Sequence, residues 1–182
     1  MFRLKLIIVP TLIISCLSLT SCFKDVDFGQ APDIALEPDL QVDLAYYELN
    51  ETDFFDSETN LYTPLIRDTL RLEFLDDDYI QDGLMFVEFR FRHENRFPFP
   101  VRSNIKFLNE NNRREFSIAY TIPEGSTAMP SVVDTLKVME GNDIRNVRRS
   151  IQMVMELDIL GGGQELEGSL DFSSKGLFRF EF

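Results

Sequence analysis

The stretch GLMFVEFRFRHE, residues 83–94, decides the fold. Met85, Val87, Phe89 and Phe91 fall on one side of an extended chain, and Glu88, Arg90 and Arg92 fall on the other. A period of two belongs to a strand with one face in a core and one in water. The same period continues downstream through Val101, Ser103, Ile105 and Phe107, then Phe116, Ile118, Tyr120 and Ile122. Upstream it runs through Leu40, Val42, Leu44 and Tyr46, and again through Leu70, Leu72 and Phe74. Val132–Val138 reads as a strand after Pro130, and Ile151, Met153, Met155, Leu157 and Ile159 line one face of another. Leu166, Leu170 and Phe172 alternate once more. Ser173-Ser174-Lys175-Gly176 then reads as a turn, and Phe178, Phe180 and Phe182 close a C-terminal β-hairpin.

Many short strands separated by turn residues point to an all-β chain, a single antiparallel β-sandwich over residues 40–182. Phe89, Phe91, Ile105, Phe107, Phe116 and Ile118 are its expected inward residues. Two segments are less clear. Leu49–Arg67 is long for a connection and has room for an edge strand around Leu61–Ile66. Asp143–Met155 fits either a helix or a single turn leading into a strand, and the cleaner alternation from Ile151 favours the turn.

A length of 182 residues fits one domain with its own core. The formal charge of −13 repels phosphate backbones, so nucleic acid is excluded as a partner class. With 17 Phe and no Trp, phenylalanine is the main core filler.

The first 22 residues, MFRLKLIIVPTLIISCLSLTSC, are an address. Arg3 and Lys5 precede an apolar run from Leu6 to Leu19, too short for an ordinary bilayer span and suited to the core of a secretory signal. The run ends in Leu19-Thr20-Ser21-Cys22, which resembles the lipobox of bacterial lipoproteins. The resemblance implies a signal peptide over residues 1–21, cleavage before Cys22 and acylation of Cys22. More than one acyl chain is needed because a single chain anchors only marginally. Cys16 would leave with the signal, so the mature chain would have no internal disulfide. Residues 22–39 then read as a lipid anchor and acidic tether, with Pro32 and Pro38 and no sustained period. The absence of Asp after Cys22 resembles outer-membrane lipoproteins. Lys24-Asp25-Val26-Asp27 resembles the export signals of surface lipoproteins of the Bacteroidota. The expected location is the outer membrane, facing either the surface or the periplasm.

Between Phe89 and Gly125 a strand ends at Asn95, an aromatic-proline corner follows, and a polar turn falls at Asn109–Arg113. This layout resembles lipoproteins of flavobacteria and their relatives. It is also similar to immunoglobulin-like water-stress domains, in which an Asn closes the corner. The resemblance implies an immunoglobulin-like sandwich and an envelope location. It implies no activity.

Residues able to carry chemistry are few. His93 is the sole histidine, and it reads as a solvated strand end among Arg92, Glu94 and Arg96. Ser103 has neither a nucleophile-elbow spacing nor an orienting acid, so no catalytic residue and no enzyme is expected. Gly161-Gly162-Gly163 lacks the GK[ST] that a phosphate cradle needs and reads as a connection. Asp76, Asp78 and Asp82 are the candidates for calcium, which takes about six to eight oxygens. The run lacks EF-hand alternation, since Ile80 stands where a ligand should be, and a solvated turn is preferred; no cofactor is expected. Asp53, Asp56 and Glu58 form a second acidic patch. Tyr46, Tyr47, Tyr62 and Tyr79 are the candidates for stacking a sugar, with Tyr47 placed outward by the alternation. Arg90, Arg92, Arg102 and Lys106 are assigned to one sheet face, where they would dock an acidic partner.

These readings converge on a lipid-anchored envelope module that binds a protein partner and does not catalyse. A glycan-binding surface lipoprotein is the alternative. An open hydrophobic edge strand would favour the protein partner, and an exposed aromatic platform would favour the glycan.

Overall fold

The computed structural model describes residues 36–161 and 166–182. The expected signal peptide, Cys22 and the expected tether up to residue 35 lie outside the described residues, as does most of the 161–163 glycine run. Eight strands form: β1 Asp39–Asn50, β2 Leu65–Arg71, β3 Leu84–Asn95, β4 Val101–Leu108, β5 Arg114–Ile122, β6 Ser131–Glu140, β7 Gln152–Ile159 and β8 Ser169–Phe180. Two short helices, α1 Asp78–Gly83 and α2 Ile144–Arg148, precede β3 and β7. Asp143–Met155 therefore makes a brief helix and then a strand.

The strands form two antiparallel four-stranded sheets, β1-β8-β3-β6 and β2-β7-β4-β5. The expected sandwich is present, but its connectivity is not the immunoglobulin order. Strand 1 pairs with 8, 2 with 7, 3 with 6 and 4 with 5, as if one long hairpin were rolled up. That nested arrangement is a jelly roll. Alternation reports which side of a strand is buried and is silent about which strand lies beside it.

The inner strands carry the core. Phe89, Phe91, Ile105, Phe107 and Phe178 are fully buried, and Phe116 and Ile118 pack against them half-buried. Phe107 and Phe116 stack with ring centroids 4.3 Å apart, and Phe178 meets Phe89 edge-on at 5.9 Å. A second cluster at the other end holds Phe97, Val101, Leu157, Leu166 and Leu170, and is plugged by Phe54 from a 3-10 turn over Glu51–Phe54. Asn95 ties the aromatic-proline corner. Its Nδ2 donates to the carbonyls of Phe99 (2.9 Å) and Pro123 (2.8 Å), and its Oδ1 accepts from the Phe97 amide (2.9 Å).

Several expectations are corrected. The segment Ser173–Gly176 is no turn: it lies in the middle of β8, and no C-terminal hairpin forms. Gly176 sits in the ladder between Val42 and Phe89, with the Phe178 ring over the space that a Cβ would take. The Ser174 hydroxyl accepts from the Ala45 amide at 3.0 Å, beside a register shift in β1 between Asp43 and Ala45. That bulge is the source of the second correction. It resets the phase, so Tyr46 is 77% exposed while Tyr47 turns inward onto Phe172. Leu36 and Phe182 exchange two hydrogen bonds of 3.0 Å. The expected edge strand at Leu61–Ile66 begins only at Leu65 and runs on to Arg71.

Candidate functional site

The four cations chosen from the sequence do not share a face. Arg90 and Arg92 stand on β3 and point out of one sheet, whereas Arg102 and Lys106 stand on β4 in the other. All four already have carboxylate partners. Arg90 grips Asp134 with two bonds of 2.9 and 2.6 Å, and this pairing holds the Asp134 carboxyl below its ordinary range. Arg92 meets Glu94 at 3.2 Å, Lys106 meets Glu156 at 2.5 Å, and Arg102 lies 3.7 Å from Asp158. Three of these pairs cross between neighbouring strands and Arg92–Glu94 runs along β3; exposed pairs of this kind are worth little in water.

His93 is not solvated but completely buried. Continuing the alternation past Phe91 places it inward, and its charged neighbours in sequence all face the other way. Its Nδ1 lies 3.1 Å from the Tyr120 hydroxyl, and Tyr120 is the cross-strand partner of the buried Ser103. The Nε2 has no partner among the described residues. Desolvation holds the imidazole down to about 3, so it is neutral in the native state. Burial likewise pushes the Tyr120 and Tyr47 phenols up. Tyr47 and Tyr120 touch both apolar clusters, and these residues form a polar belt between the two. Ser103 and His93 both neighbour Tyr120 in the belt, a pair with the chemistry of a nucleophile and a base. Both are sealed inside the core, beyond the reach of a substrate.

The acidic loops satisfy themselves. Asp76 pairs with Arg71, and Asp77 caps α1 by accepting from the amides of Tyr79 (2.9 Å) and Ile80 (3.1 Å). Asp78 and Asp82 are exposed on α1. Asp56 accepts from Glu58 and Thr59 in its own loop, and these bonds lower its pKa. Asp53 completes a capping box with Asn50. Among the described residues no group of three or more His, Cys, Asp or Glu is arranged to hold a metal ion.

Tyrosines form no platform. Tyr46 is exposed on β1. Tyr79 is exposed on α1 and stacks on Phe182 at 4.4 Å; Phe182 pairs with Leu36, ten residues of chain before Tyr46. Tyr62 packs on Phe55 and donates to the Gly161 carbonyl (3.1 Å). Tyr47 lines an apolar cleft of about 220 Å³ with Leu49, Ile66, Asp68, Met155 and Leu157, between the edge strands β1 and β2. That is small beside ligand pockets of about 300–1,000 Å³.

The strongest surface feature is one that the sequence reading did not single out. β6 is an edge strand of ten residues, paired only to β3 and in unbroken register with it. Its outer face carries Val132, Leu136 and Val138, exposed to 50%, 57% and 42%. The signal was present in the run SVVDTLKVME, which is apolar in both phases of the alternation, with Val133 and Met139 facing inward. A strand that is apolar on both faces needs cover on both.

No family model and no curated protein matches the chain. Solved structures with a similar strand arrangement include a Parabacteroides distasonis protein described as secreted, at 13% identity and a TM-score of 0.46, covering 63% of this chain and 37% of that one. Another is the enzymatically active domain of tailspike protein 4 of bacteriophage CBA120, at 12% identity and 0.40, covering 78% and 19%. A third is VP2 of the infectious bursal disease virus subviral particle, at 8% identity and 0.43, covering 79% and 32%. The chain spans well under half the length of each. These likenesses bear on neither activity nor location. No helix among the described residues is long and apolar enough to cross a membrane.

Proposed function

We propose that this chain is a lipoprotein of the flavobacterial type, acylated at Cys22 and anchored in the outer membrane. In this reading its jelly-roll domain binds a protein partner and performs no chemistry of its own. Anchoring rests on the order of basic, apolar and small residues before Cys22. The observation that carries partner binding is the strip of Val132, Leu136 and Val138 on the exposed edge strand β6. Three large aliphatic side chains along one open edge suit a protein interface better than a sugar, which stacks on aromatic rings. The separated positions of Tyr46 and Tyr79 give the glycan reading no comparable support.

Two measurements test the proposal. Cys22→Ala should abolish palmitate labelling and release the protein from the membrane fraction or leave it unprocessed; continued labelling overturns the anchor. A photo-crosslinking residue at position 136 should capture a discrete envelope protein, whereas the same residue at position 46 on the far edge should not. Equal capture at both positions, or at neither, overturns the partner surface.

A further inference from the structure

The four edges of the sandwich are not equivalent. β1 is bulged between Asp43 and Ala45, and β2 is only seven residues long. β5 points small or polar residues outward, Ser117, Ala119 and Thr121. Bulges, shortness and polarity are ordinary protections against the pairing of an edge with another chain. β6 has neither bulge nor proline, and it is long and apolar; its single such protection is Lys137, which faces the inner side yet is exposed.

Charge picks out the same side. Ten of the fifteen described Lys and Arg side chains lie within 4.0 Å of a carboxylate. The other five are Arg113, Arg114, Lys137, Arg145 and Arg148. They flank or belong to β5, β6 and α2, and α2 packs against β3, β5 and β6. Within β6, Asp134 is already held by Arg90, and Glu140 stands at the end of the strand. Lys137 is thus the uncompensated charge in its middle.

We infer that β6 takes up an extended acidic segment of a partner protein as a fifth strand of the β1-β8-β3-β6 sheet. This rests on the protein-partner reading above and supplies its mode and chemistry. Free backbone groups along an edge are satisfied by another strand, alternate side chains of the guest would cover the Val132–Val138 strip, and carboxylates would meet Lys137. A second copy of this chain is a poorer guest. A two-fold antiparallel joint at β6 would bring the unpaired cations of both copies onto one side, where like charges repel.

The test uses the full-length chain in detergent micelles and three ten-residue peptides. One alternates valine with glutamate, one alternates valine with lysine, and the third is the glutamate peptide methylated on alternate backbone nitrogens. The glutamate peptide should slow amide hydrogen exchange across residues 131–140 at least tenfold. The lysine and methylated peptides should not. Lys137→Glu should reverse the preference between acidic and basic peptides, and Lys137→Gln, which only removes the charge, should erase it. Any of four results overturns the inference: equal protection by both charges, protection by the methylated peptide, protection confined to β1, β2 or β5, or none at millimolar peptide. A dimer whose β6 is protected without peptide assigns the edge to a second copy and overturns it as well. Capture of a protein through position 136 while the peptides fail removes strand addition and leaves the partner reading standing.

Discussion

The two open sides of the sandwich have opposite character. On the β1/β2 side the cations are answered within the chain: Arg179 with Asp39, Lys175 with Asp43 and Arg71 with Asp76. Leu36 extends the β1–β8 pairing to the last residue of the chain, and the bulge in β1 is closed by the Ser174 hydroxyl. On the β5/β6 side Arg90 meets Asp134 and Arg149 meets Glu115, but Arg113, Arg114, Lys137, Arg145 and Arg148 lack a carboxylate and three aliphatic side chains stand in water. One side has its interactions completed by folding. The other has capacity left over, which is what an interaction surface looks like in a chain that must also stay folded alone. Damage to the first side should therefore cost stability, and damage to the second should cost binding.

The largest effect expected is from truncation after Gly176. Had Leu177–Phe182 been one arm of a hairpin, its loss would have trimmed an edge. Instead it removes the end of a strand that pairs with both β1 and β3, together with the buried Phe178 and Phe180. No cooperative thermal transition should survive, as followed by circular dichroism; a melt like that of the intact chain would break the comparison. Next comes Phe178→Ala, which empties a site lined by Phe74 and Phe89. Phe-to-Ala changes in cores cost about 3–5 kcal/mol, readable as a lowered urea midpoint.

Those two predictions also show where sequence reading works. Residue alternation placed Phe89, Phe91, Ile105 and Phe107 in the core and set most strand limits to within two or three residues, because burial of one face is a local property. It said nothing of the nested order 1·8, 2·7, 3·6 and 4·5, since pairing joins residues far apart in the chain. It misread Tyr46 and Tyr47 because one bulge inverts every later position in a strand. Ser173–Gly176 misled for a related reason: turn residues are also the small ones that let a core aromatic lie against the sheet. The surface strip was hidden differently. Val132 and Val133 are adjacent, and without the neighbouring strands neither phase could be assigned to water.

Between the sides, the polar belt supplies the third effect. His93 has a folded value of about 3 against an ordinary value of 6.5. Between these the unfolded chain binds a proton that the folded chain refuses, so stability is complete above pH 6.5 and is lost as pH falls. From pH 6.5 to 5 the loss should be about 1.5 kcal/mol, with one pKa unit equal to about 1.4 kcal/mol. Glu115 and Asp134, lowered by Arg149 and Arg90, contribute only nearer the carboxylate range, which leaves this window to the imidazole. Urea unfolding at the two pH values measures it, and His93→Phe should flatten the difference. A wild-type curve already flat over that window would mean that water reaches the ring.

The smallest effect on stability should come from Leu136→Thr. Leu136 is opposite Arg90 on the outer face of an edge strand and is more than half in water. Threonine keeps a branched Cβ and a high strand propensity, so the backbone of β6 has no reason to loosen. The apolar area at stake is the fraction of one leucine already covered, and exposed substitutions of this kind change stability by about 0.5 kcal/mol or less. The urea midpoint should therefore be unchanged within error, while protection of residues 131–140 by the glutamate peptide falls at least threefold. An unfolding free energy lowered by more than about 1 kcal/mol would show that the strip belongs to the protein's own packing. In that case the two sides would differ in charge alone, and the apolar edge would not be a surface held ready for another chain.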